Sequence, residues 1–141
     1  MLSALAANCG YTAVLCPPPF YYRSAPADGL AAFFNRVLGA SDLPVLLYHI
    51  PQVTGVPIGD DLLDRLVHDD SLAGVKDSTG DPAEMHRLIG RFEGRSYFVG
   101  TDRLMSDCLR DGGSGSITAA ASVVPRLVVS VKKIGNIQHQ F

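Results

Sequence analysis

Apolar residues in this chain come in short runs, and the runs alternate between two spacings. Tyr11–Cys16, Pro44–Tyr48, Leu72–Lys76 and Tyr97–Val99 are brief and nearly unbroken, and each is closed by a turn signal. Runs of this length with little alternation predict strands covered on both faces. Between them lie stretches in which apolar positions recur at helical spacing. Leu30, Phe33, Phe34 and Val37 share one face of a helix predicted from Pro26 to Leu38, with proline suited to its first turn. Leu62, Leu63, Leu66 and Val67 share a face of a helix opened by Asp60 or Asp61. Asp81, Pro82 and Glu84 predict another helix start: an N-cap aspartate, a first-position proline and a third-position acid able to complete a capping-box contact. A helix from Arg103 to Asp111 is stopped by Gly112 and Gly113. Residues 1–8 predict a helix halted near Gly10, 116–118 a last short strand, and Ser122 onward another helix. Pro51 to Pro57 reads as loop.

Five strands, each followed by a helix, imply an α/β chain with a parallel sheet and right-handed crossovers. An open doubly wound sheet and a segment of a (β/α)8 barrel both fit. No G-x-G-x-x-G follows the first strand, which weakens a dinucleotide-binding reading, and no P-loop or G-x-S-x-G is present.

Composition narrows the class. Of the 141 residues, 47% are hydrophobic and 18% charged, enough for a core in one domain. A net charge of −2 gives no basic surface for nucleic acid or an acidic membrane. No apolar run has the ~18 residues that span a bilayer, and the small apolar start lacks a basic n-region. Cys9, Cys16 and Cys108 show no C-x-x-C spacing and read as free thiols of a reducing cytoplasm. The histidines show no metal-ligand spacing, so no metal is expected.

Candidate chemistry gathers at strand ends, where parallel α/β folds place it. Lys76 ends the third strand and Tyr48 the second. An amine and a phenol at neighbouring strand ends make a Schiff-base pair. The amine attacks a ketone and the phenol relays protons. Schiff-base chemistry would need no cofactor, because the protonated imine is itself the electron sink. Taken singly, a strand-end lysine such as Lys76 is more often a solvated or salt-bridged residue, and Tyr48 alone more often a core tyrosine with a satisfied hydroxyl.

Together the segments resemble the dihydrodipicolinate synthase / N-acetylneuraminate lyase family of pyruvate-dependent class I aldolases, over roughly residues 4–125. Residues 47–55, with Tyr48, Pro51, Thr54 and Gly55, are similar to the family's Y-N-x-P-x-x-T-G segment. Residues 74–80 are similar to its G-x-K-[DE]-x-[ST]-G segment, and the 28 positions from Tyr48 to Lys76 match its spacing. Pro19, Phe20 and Tyr21 resemble its P-[FY]-Y segment, and residues 112–117 its last barrel strand.

The resemblance implies a partial TIM (β/α)8 barrel over 1–125, its five units being the fourth to eighth, and a divergent tail over 126–141. It implies a lyase or aldolase in which Lys76 forms a Schiff base with pyruvate or another 2-keto acid, and Tyr48 is the general acid/base. Tyr21, with Tyr22 as the alternative, would reach a neighbouring subunit's site in a homo-oligomer. Gly100 and Ile117 would give backbone contacts near the keto acid, and Thr54 and Gly55 would shape the loop over its carboxylate. The second substrate would be an aldehyde or a sugar acid.

Two departures modify this. Val53 stands where synthases of lysine biosynthesis usually carry a carboxylate-binding arginine, which favours keto-acid cleavage over dihydrodipicolinate synthesis. His49 replaces the usual asparagine. Family members are also about twice as long, so the expectation is a truncated chain, weakly active or inactive alone. The alternatives are a 4-hydroxy-tetrahydrodipicolinate synthase-like enzyme and a non-catalytic keto-acid-binding module.

Overall fold

The computed structural model describes residues 2–21 and 23–138, with 132–138 described by their backbone alone. Strands and helices alternate along it. The strands are β1 (Val14–Cys16), β2 (Val45–His49), β3 (Leu72–Asp77), β4 (Ser96–Val99) and β5 (Gly115–Ser116). The helices are α1 (Leu2–Asn8), α2 (Ala27–Ala40), α3 (Pro51–Thr54), α4 (Asp60–Leu66), α5 (Pro82–Arg91), α6 (Met105–Arg110) and α7 (Pro125–Gln138). One five-stranded sheet runs in chain order, β1-β2-β3-β4-β5, with β1 parallel to β2 and β4 parallel to β5. Val14, Leu15 and Cys16 pair with Val45, Leu46 and Leu47, and Phe98 and Val99 with Gly115 and Ser116.

Two compact units divide the chain, Met1–Gly74 and Val75–Phe141. In the first, α2 packs on α4. Leu30, Ala31, Phe34 and Leu38 of α2 are buried, as are Leu62, Leu63 and Leu66 of α4 and Val45, Leu46 and Leu47 of β2. Each such large side chain contributes roughly 1.5–3 kcal/mol relative to exposure. Arg65 and Asp28 form a 2.8 Å ion pair across the two helices. It is well exposed, so it adds little.

In the second unit, α6 packs on α7, and both α5 and α6 lie on β4. Met85, Leu88, Phe92, Tyr97, Val99, Met105, Cys108 and Leu109 form the core. The α5 start follows the sequence: Asp81 accepts from Ala83 N–H at 2.9 Å, and Pro82 occupies the first turn. Glu84 takes a bidentate grip from Arg87 at 2.7 and 2.9 Å. After α6, Gly112 adopts φ +97° and Gly113 N–H donates to Cys108 O at 2.7 Å, a Schellman-type stop.

Three expectations shift. The segment read as loop from Pro51 to Pro57 contains the single turn α3, because Pro51 presets helical φ and Gly55 closes the turn at φ +69°. One turn is too short to show periodicity. The helix expected from Arg103 divides into a 3-10 turn, Asp102–Leu104, and α6. The last strand lies at Gly115–Ser116, ahead of the expected Ser116–Thr118. Among the described residues, no helix is long and apolar enough to cross a membrane.

Candidate functional site

In the first unit the candidate residues follow β2. Tyr48 is half-buried, and His49, the last strand residue, is fully buried with Nδ1 accepting from Ile58 N–H at 3.2 Å. An imidazole nitrogen that accepts from a backbone amide is unprotonated at that atom, so His49 anchors the following loop. The chain then turns through α3. Thr54 is buried, and its Oγ1 lies 3.1 Å from Ile50 O, 3.2 Å from Val56 O and 3.2 Å from the Val56 N–H it accepts. Its hydroxyl therefore holds the loop's own shape. Gly55 is in the left-handed region, and a Cβ there would come within 2.8 Å of Arg23 Cδ. The left-handed φ favours glycine, while the Arg23 side chain could shift to admit a methyl group. Val53 projects from this turn, 64% exposed. Tyr21, in the loop after β1, is 83% exposed. Tyr22 lies outside the described residues.

In the second unit Lys76 is the penultimate residue of β3, half-buried. Successive strand residues face opposite sides, so Asp77 points away from it. Asp77 is buried, its Oδ2 accepting from Tyr97 Oη–H at 2.8 Å and its Oδ1 from Thr79 N–H at 2.8 Å. The turn continues through Thr79, whose Oγ1 accepts from Asp81 N–H at 3.3 Å. Gly100 N–H donates to Asp77 O at 2.6 Å. A Cβ on Gly100 would lie 2.9 Å from that oxygen and 3.0 Å from Ser78 Cα, so the two backbones meet only because residue 100 is glycine. Ile117, 37% exposed, donates its N–H to Val99 O at 3.0 Å. With both amides committed, a ligand contact from Gly100 or Ile117 falls to the carbonyl oxygens.

Burial, then the adjacent Asp77 carboxylate, push the Tyr97 phenol far above the usual tyrosine range. This agrees with the phenol serving as a donor to Asp77. Burial also raises the Cys108 and Cys16 thiols, which keeps both in the unreactive protonated form. No group of three or more His, Cys, Asp or Glu among the described residues could hold a metal ion.

The profile of the dihydrodipicolinate synthetase family matches residues 1–138. The chain belongs to this family. It is 40% identical over 134 residues to an uncharacterized DapA-like lyase of Chloroflexus aurantiacus, covering 92% of this chain and 45% of that protein. It is 32% identical over 122 residues to a 4-hydroxy-tetrahydrodipicolinate synthase of Methanosarcina acetivorans, covering 85% and 42%. Among solved structures, the dihydrodipicolinate synthase of Acinetobacter baumannii complexed with pyruvate superposes with a TM-score of 0.87 at 28% identity, covering 96% of this chain and 47% of that one. A Sulfolobus 2-keto-3-deoxygluconate aldolase agrees in fold, with a TM-score of 0.84 at 22% identity, covering 98% and 46%. The chain therefore spans a little under half the length of these relatives. The five parallel strands correspond to part of a TIM barrel.

The buried Asp77–Tyr97 pair is a feature that sequence reasoning missed. Asp77 entered only as a motif letter and Tyr97 only as a strand residue. The available signal was an acid directly after the strand lysine, on the face that must be buried.

Proposed function

We propose that this chain carries the Schiff-base half of a pyruvate-type aldolase or lyase site, with Lys76 as nucleophile. The observation that supports this most is the placement of Lys76. It stands at the C-terminal end of β3, in a strand end fixed by Gly100 and Asp77, within a chain of this family.

The neutral amine attacks C2 of the keto acid, and the resulting carbinolamine loses water to give a protonated imine. That iminium is the electron sink, so deprotonation at C3 yields an enamine that adds to an aldehyde. In the cleavage direction the aldehyde leaves and the same enamine stays on Lys76, where protonation at C3 and hydrolysis of the iminium return pyruvate and the free amine. Tyr48 relays protons to and from the forming or breaking alcohol of the aldol step. Substrates are pyruvate or another 2-keto acid with an aldehyde or sugar acid. Solved relatives are described with pyruvate and with a keto-deoxy sugar acid phosphate bound. The exposed valine side chain of Val53 cannot make the bidentate pair a carboxylate favours, so cleavage of a sugar acid is preferred to dihydrodipicolinate synthesis. Thr54 and Gly55 shape the loop over the keto-acid carboxylate. A homo-oligomer, to which the exposed Tyr21 would contribute, and a cytoplasmic setting suited to the three free cysteines belong to the same proposal.

The test is borohydride reduction in the presence of labelled pyruvate. Label retained by the chain and lost in Lys76→Ala is the expected result. Pyruvate binding with no reducible adduct would leave a keto-acid-binding module.

A further inference from the structure

We propose that the buried Tyr97–Asp77 pair is a positioning device for the Lys76 amine, an inference that rests on the Schiff-base reading above. Three contacts converge on Asp77, the residue directly after the lysine. Tyr97 Oη donates to Asp77 Oδ2 at 2.8 Å, Thr79 N–H to Asp77 Oδ1 at 2.8 Å, and Gly100 N–H to Asp77 O at 2.6 Å. Asp77 is thereby held at both carboxylate oxygens and at its carbonyl. Its peptide N–H belongs to the bond that joins it to Lys76.

The two sides of the strand do different work. Both α5 and α6 pack on β4, and Tyr97 and Asp77 are buried, so the pair sits on the helix-covered face. Strand alternation puts Lys76 on the other face. A long side chain such as lysine has many rotamers, and its amine is aimed only as well as its backbone is fixed. A buried carboxylate without partners is costly, and water could enter to reach it. Tyr97 prevents this. It fills the core as a ring and spends its hydroxyl on the carboxylate. Both residues are almost fully buried, and no step of the proposed mechanism uses either. A surface-independent tyrosine–aspartate pair of this kind has no packing need that phenylalanine and leucine would not meet.

The experiment measures the rate of borohydride-trapped imine formation against pyruvate concentration in the full chain and in Tyr97→Phe, Asp77→Asn and Asp77→Ala, each first shown to be folded by circular dichroism. Tyr97→Phe keeps the ring and removes one donor. Asp77→Asn keeps the size but offers one acceptor oxygen to two donors. Misaiming an amine by about 1 Å costs up to ~100-fold. The limiting rate is expected to fall roughly 10- to 100-fold in Tyr97→Phe and Asp77→Ala, and by a smaller factor in Asp77→Asn, while half-saturating pyruvate stays within about twofold. Wild-type rates in folded Tyr97→Phe would overturn the inference alone, as would a change confined to half-saturation. If Tyr97→Phe does not fold, a wild-type rate in Asp77→Asn overturns it. Absence of any adduct in the wild-type chain would sink the Schiff-base reading and this inference with it, a result distinct from the other two.

Discussion

In the proposed reaction Tyr48 and Lys76 have separable jobs, and substitution should separate them. A phenol that only moves protons is dispensable for imine formation. Tyr48→Phe is therefore expected to retain label from pyruvate under borohydride while turnover of the aldol step falls about 10²- to 10⁴-fold. Loss of trapping in that variant, with the fold intact, would mean that Tyr48 acts earlier than proposed. Gly100 makes a stability claim. A methyl group there meets Asp77 O at 2.9 Å and Ser78 Cα at 3.0 Å, both backbone atoms with little room to move. Gly100→Ala should lower stability by about 1–3 kcal/mol in urea unfolding. The candidate amine and phenol were legible in sequence because chemistry-bearing residues at strand ends stand out against apolar runs. Tyr97 was not, because a tyrosine inside such a run looks the same whether its hydroxyl is idle or committed. Only the position of Asp77 across β3 and β4 reveals the difference.

At the scale of elements, local chemistry explains where most boundaries fall. Asp81 caps α5 through Ala83 N–H, and Gly112 and Gly113 stop α6, both as their residue types require. Asp81→Ala should cost about 1 kcal/mol in thermal or urea unfolding, since it strands one amide at the helix start. Because α5 packs on β4, which also carries Tyr97, part of that loss should appear as faster amide exchange in β4. The elements that sequence misplaced are the short ones. α3 has four residues and β5 two, and neither length can display a period. What sets them is a proline, a left-handed glycine and, for β5, pairing with Phe98 and Val99, which is tertiary information.

For the whole molecule, the sheet has β1 and β5 as its outer strands. Beside β1 lies a mainly apolar groove of about 790 Å³, lined by residues that include Leu2, Ala6, Tyr11, Leu15 and Phe33. Leu15, within β1 itself, is 38% exposed. Outer strands with apolar side chains on show recruit further strands. The chain is expected to self-associate at micromolar concentration, and Leu15→Lys to shift it toward monomer in sedimentation or light scattering. An unchanged distribution would show that this edge is not the contact. The parallel α/β order was legible in sequence because strand and helix spacings alternate. The identity of the outer strands was not, since no periodicity encodes strand neighbours. The central claim stands or falls on Lys76. Borohydride reduction with labelled pyruvate, followed by peptide mass analysis, should find reduced pyruvate on the peptide carrying Lys76 and none in Lys76→Ala. No adduct, or one on another lysine that persists in Lys76→Ala, would contradict the account.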